Sequence, residues 1–176
     1  MTAWIFLRNP FRYARNELWS CHGGAITAGA LILGIVWLIV LSIVGSPRLL
    51  LVWITARILV PPTWLFLVLM LLLFLVSGAF MGAVLGDRRR GCDAVRYRGA
   101  FFSIVAITMC YLWYALFFGA RFFFSALLLS AVACVCFFVA AITFRCGFRA
   151  ARIGAWFCFG ISLYLLLLSL LCFLLL

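Results

Sequence analysis

Few side chains in this sequence carry the chemistry of catalysis. Ser42, Ser77, Ser103, Thr108, Ser125, Ser130, Thr143, Ser162 and Ser169 supply hydroxyls, but each lies in an apolar run with no base to activate it. A hydroxyl attacks only when a neighbouring base takes its proton and a third group orients that base. The single histidine, His22, and the three acids, Glu17, Asp87 and Asp93, lie outside the apolar runs. There is no phosphate loop, and no charge inside a run of the kind that marks an ion or proton path. An enzyme, a pump and a proton-coupled transporter therefore all lack parts.

The eight cysteines are Cys21, Cys92, Cys110, Cys134, Cys136, Cys146, Cys158 and Cys172. No CxxC occurs, and Cys134 and Cys136, two apart on a helix, point in different directions. Without partners of metal-ligand spacing, no zinc, haem-attachment or disulfide framework is expected, and the cysteines read as small packing residues. Aromatic residues, by contrast, make up 18% of the chain. The stretch "CYLWYALFFGARFFF", 110–124, concentrates them. They serve either as an interfacial belt with packing or as the wall of a flat apolar pocket that stacks on a planar ligand.

The elements that position these residues follow from composition. Of 176 residues, 70% are hydrophobic and 10% charged. That much apolar surface requires lipid as the solvent. Five runs reach the roughly 20 residues of a bilayer crossing, at about 24–45, 62–85, 100–118, 122–144 and 154–176. Backbone polar groups in hydrocarbon must be satisfied internally, so each run is helical. The expected fold is an all-α membrane protein, a bundle of five transmembrane helices over residues 23–176. The third and fourth runs are separated only by "GAR", 119–121, which predicts a tight hairpin with Gly119 in the left-handed conformation and Arg121 reaching the interface.

Residues 1–22 read as an interfacial amino-terminal segment and not as a cleaved signal peptide, because Arg8, Arg12 and Arg15 follow the apolar group "AWIFL" instead of preceding it. The segment "SPRLLLVWITARILV", 46–60, is too short and too charged to span and reads as a surface lid. Pro61 and Pro62 preset the first turn of the second helix, and Trp64 stands at belt level. All fourteen basic residues are arginine, giving a formal charge of +11. Their placement in short segments between spans implies head-group contact and membrane orientation, not nucleic acid. Eleven fall on one side of a five-helix topology and three (Arg48, Arg57, Arg121) on the other. The amino terminus is thus expected in the cytoplasm, in a bacterial cytoplasmic membrane. Gly78, Gly82 and Gly86 line one face of the second helix and allow close helix approach. Packing within the bundle is the first use of this stripe, and a homodimer contact the alternative.

Several of these stretches resemble a known family. "PPTWLF" (61–66) followed by Gly78, "LWYALFFG" (112–119) running into "ARFFFSALLLSAV", and Tyr164 in "SLYLLLL" are similar, in order and spacing, to the tryptophan-rich sensory proteins. This is the TspO/MBR family, which includes the translocator protein. Its pattern at the third-to-fourth helix junction is roughly N-x-x-W-S-x-L-F-F-G, matched here at Trp113, Leu116, Phe117, Phe118 and Gly119. Cys110, Tyr114 and Ala115 stand where the family has asparagine, serine and proline. Val68, Met70, Phe74, Cys158 and Leu166 replace other family residues. The resemblance implies a site for a planar hydrophobic ligand, a porphyrin or haem-like molecule, between the first loop and the helices. No other cofactor is implied. Trp53, Arg57, Trp64, Trp113, Phe117 and Tyr164 are the expected site residues, with Arg48 and Arg57 as cations for propionates. The alternatives are a divergent member whose site is lost, acting as a structural or interaction protein, and a small transporter of an apolar solute.

Overall fold

A computed structural model describes residues 10–44, 63–86, 93–144 and 149–175. Among these residues there are five helices and no strand, as the apolar runs require. The helices are α1 (Pro10–Val44), α2 (Thr63–Gly86), α3 (Asp93–Tyr114), α4 (Phe123–Thr143) and α5 (Arg149–Leu175). All five are long and apolar enough to cross a bilayer, with spans at Gly24–Val44, Trp64–Leu85, Ala94–Ala120, Phe123–Thr143 and Ala151–Leu174. The chain is therefore an integral membrane protein by length and composition.

Two boundaries differ from the hydropathy reading. α1 has 35 residues, about 52 Å at 1.5 Å per residue, against a hydrocarbon core of about 30 Å. The stretch from Pro10 is thus one helix with the first span, because Gly23 and Gly24 lower helix propensity without breaking the ladder. α3 begins at Asp93, well before the apolar run starts at 100. Its first turns carry Arg96 and Arg98, which a hydropathy window scores as loop. Arg96 lies over the ring of Tyr97, 4.9 Å from its centroid.

Consecutive helices pack as antiparallel neighbours: α1 on α2, α3 on α4, α4 on α5. α2 also meets α5, and to a lesser extent α3, which sets the last helix beside the α1–α2 pair. α4 lies between α3 and α5, so Cys134 and Cys136 are both buried although they point apart. α1 is the least buried span and is held mainly by α2. The glycine stripe makes that contact. A Cβ on Gly78 would fall on the Gly29 backbone and 2.9 Å from Ala30 Cα, and a Cβ on Gly82 would fall on the Ala25 backbone. The stripe at Gly78 and Gly82 is thus used inside the bundle, backbone against backbone.

The hairpin is as tight as expected, but its left-handed residue is Arg121 (φ 58°, ψ 30°) and not Gly119. The reason is that α3 does not stop at 118. It widens into a π-helical turn, Ala115–Ala120, which carries the reversal two residues further on. The turn closes with the Phe122 amide donating to the Leu116 carbonyl at 3.0 Å.

Candidate functional site

Hydroxyls buried in these helices donate to carbonyls of their own helix. Ser77 donates to Phe74, Ser103 to Gly99, Ser130 to Leu127 and Ser162 to Phe159, at 2.8–3.0 Å. Such back-bonding hides a hydroxyl in an apolar environment and leaves none aimed at a base. The described cysteines Cys110, Cys134, Cys136, Cys158 and Cys172 are buried and free. No group of three or more metal-ligating side chains assembles among the described residues.

What the helices do build is a cleft. α1 and α3 touch near one end of the bundle, where the Tyr111 phenol donates to the Leu33 carbonyl at 2.8 Å. Trp37 meets Tyr114 edge-on there, with ring centroids 4.7 Å apart. Toward the amino-terminal half of α1 the two helices separate. The small residues Ala25, Ala28 and Gly29 face the gap without filling it, and α2 supplies the floor through Gly78, Met81 and Gly82. The result is a space of about 530 Å³, within the range of small-molecule sites. Tyr111 closes its upper end, stacked on Phe74 at 4.1 Å and 10°. Ile32, Leu85 and Ile104 line it and are more than half exposed, so the mouth opens sideways, toward lipid. Thr108 Oγ1 and Tyr111 Oη are the side-chain polar groups on the wall. Both donate to backbone carbonyls and keep lone pairs to accept.

No family model matches the chain, and neither does any curated protein or solved structure.

The residues expected from the sequence to form a pocket are placed as follows. Trp53 and Arg57, with Arg48, Pro61 and Pro62, lie outside the described residues, as does the lid at 46–60. Trp64 is 65% exposed at the start of α2, where a belt residue stands. Trp113 and Phe117 are brought together, stacked at 4.9 Å and 22°, and both are fully buried. The Trp113 indole N–H donates to Ser169 Oγ on α5 at 2.7 Å, and Ser169 donates on to the Leu165 carbonyl. Phe66 and Phe118 cover the other sides of the indole. Tyr164 is partly buried on α5, and its hydroxyl is the one buried side-chain polar atom among the described residues without a hydrogen-bond partner. None of these four lines the cleft. Sequence reasoning missed Met81 and the small residues of α1. The available signal was the density of alanine and glycine over 23–34, which matches the stripe on α2.

Proposed function

We propose that this chain binds a planar apolar molecule, of the tetrapyrrole class, that reaches it through the bilayer. The observation that carries this reading is the cleft among α1, α2 and α3, apolar on its walls and open toward lipid. Pockets of this size and lining hold ligands by shape and apolar contact, with a few polar groups fixing orientation. The choice of ligand class rests on the resemblance to the tryptophan-rich sensory proteins. Among the described residues no charged side chain lines the cleft, and against these walls an esterified or otherwise uncharged ligand suits better than a dicarboxylate, whose charges would stay unpaired in hydrocarbon.

The test is titration of the protein in nanodiscs with a porphyrin diester, followed by quenching of tryptophan emission. Saturable binding at micromolar concentration, worth about 8 kcal/mol, is expected. Thr108→Phe, which fills the mouth from an exposed position, should abolish it while helicity and melting are unchanged. Unsaturable partitioning, equal in wild type and Thr108→Phe, would refute the reading.

A second reading has an observation of its own. At the hairpin end, Phe66, Trp113, Phe117 and Phe118 pack on one another and leave no slot for a planar ligand. A member whose aromatic site is filled by its own side chains would act as a structural or interaction protein. Under that reading the porphyrin titration yields partitioning alone.

A further inference from the structure

We propose a second site, at the α3–α4 hairpin, that holds the phosphate of an anionic phospholipid on Arg121, with the lipid's apolar part against Phe122, Phe124 and Phe173. A hollow of about 320 Å³ lies there, lined by Arg121, the run Phe122–Ser125, and Phe173 from α5. Its composition is amphipathic in the way an interfacial lipid is. Arg121 is exposed, its amide donates to the Leu116 carbonyl, and its guanidinium makes no hydrogen bond or ion pair with any described residue; the Ser125 hydroxyl is likewise unengaged. Phe122, Phe124 and Phe173 are 62%, 57% and 46% exposed, with Phe124 and Phe173 in tilted contact at 5.8 Å.

The hairpin fixes where this cation stands. α3 and α4 both span, so the reversal between them lies at a membrane surface. There Arg121 is locked by its left-handed backbone and by the bond that closes the turn across it. A guanidinium held at head-group depth, with phenyl rings toward the hydrocarbon, matches the order of phosphate, glycerol and acyl chain in a phospholipid. Its planar donor fork suits a phosphate's paired oxygens. Free phosphate would use the arginine alone and gain nothing from three exposed phenylalanines.

Native mass spectrometry of the full chain in neutral detergent separates the sources. The probes are phosphatidylglycerol, a diacylglycerol with the same chains, and inorganic phosphate as competitor. Because the chain carries +11, any anionic lipid will adhere loosely. The control is therefore Arg152→Gln, which removes the same charge from an exposed site at the opposite end of the bundle. One phosphatidylglycerol should be retained in preference to diacylglycerol. Arg121→Gln should cut that preference about tenfold, the scale of one charge-assisted pair, and Arg152→Gln should leave it within about twofold, as for a distant surface charge. Millimolar phosphate should not displace the lipid. Equal losses in the two variants would overturn the proposal, as would equal retention of diacylglycerol or displacement by free phosphate.

Discussion

Adding one methyl group at two different glycines should move stability in opposite directions. At Gly78 a Cβ would meet Gly29 C at 2.7 Å and Ala30 Cα at 2.9 Å, besides the Gly29 carbonyl oxygen. Carbon atoms in contact need about 3.5–4.0 Å, so α1 and α2 would have to separate by roughly 1 Å at that level. No side chain can swing away, because the obstacles are backbone. Overpacking of this kind costs about 1–3 kcal/mol, and separation also weakens the contacts around Gly82 and Ala25. At Gly160 a Cβ would meet nothing within 4 Å. There the helix keeps its packing and gains about 0.5–1 kcal/mol of propensity. Gly78→Ala should therefore lower, and Gly160→Ala raise, the midpoint of unfolding in a detergent titration followed by tryptophan emission. Trp37, stacked on Phe74 at 5.0 Å between the two helices, reports on the separation. Size-exclusion chromatography with light scattering would give the mass of each variant. A Gly78→Ala variant that is fully stable, but has changed its oligomeric state, would show that the stripe meets another copy and not α1.

Other perturbations give further expectations. Ser169→Ala should destabilise by about 1–3 kcal/mol, because it leaves the fully buried Trp113 N–H without an acceptor; thermal melting checks this, and an unchanged midpoint would remove that bond from the account. Arg121→Gly should raise the melting temperature in lipid-free detergent by the equivalent of about 1 kcal/mol, since glycine adopts the left-handed conformation without the Cβ clash. A lower melting temperature would show that the arginine side chain supports the turn. The arginine distribution predicts that Cys92 and Cys146, which lie outside the described residues, react with an impermeant thiol reagent from the cytoplasmic side alone. Labelling of either in intact cells would invert the topology.

The spans were legible because a 20-residue apolar run in a chain that is 70% hydrophobic has few alternatives. The hairpin was legible from its length alone. Its left-handed residue was not, since the π turn that displaces it depends on packing among Phe117, Phe118 and Phe123 from both helices, which no local propensity encodes. The stripe on α2 was visible as a pattern, but its partner face on α1 was one choice among several small residues, decided by tertiary fit. Trp113 and Tyr114 read either as interfacial belt with packing or as the wall of a ligand pocket. Burial won because the hairpin tucks that end of α3 behind Phe66 and against α5. The alanine and glycine density over 23–34 was the one sequence signal for the cleft; its shape was not legible, since it is a divergence between α1 and α3 set by where Tyr111 and Trp37 hold them together.

The back-bonded hydroxyls bear on how the chain enters a membrane. A helix emerging during synthesis meets lipid before it meets its neighbours. Ser42, Ser77, Ser103, Thr108, Ser130, Thr143 and Ser162 each satisfy themselves within one turn, so these helices can be released singly without waiting for a polar partner. Side-chain hydrogen bonds that join described helices include Tyr111 to Leu33, Trp113 to Ser169, and Cys158 to the Leu73 carbonyl. Each of them joins a helix to one synthesised earlier or later by at least one full span. These three links therefore belong to assembly, and form only after the helices they join have both been inserted.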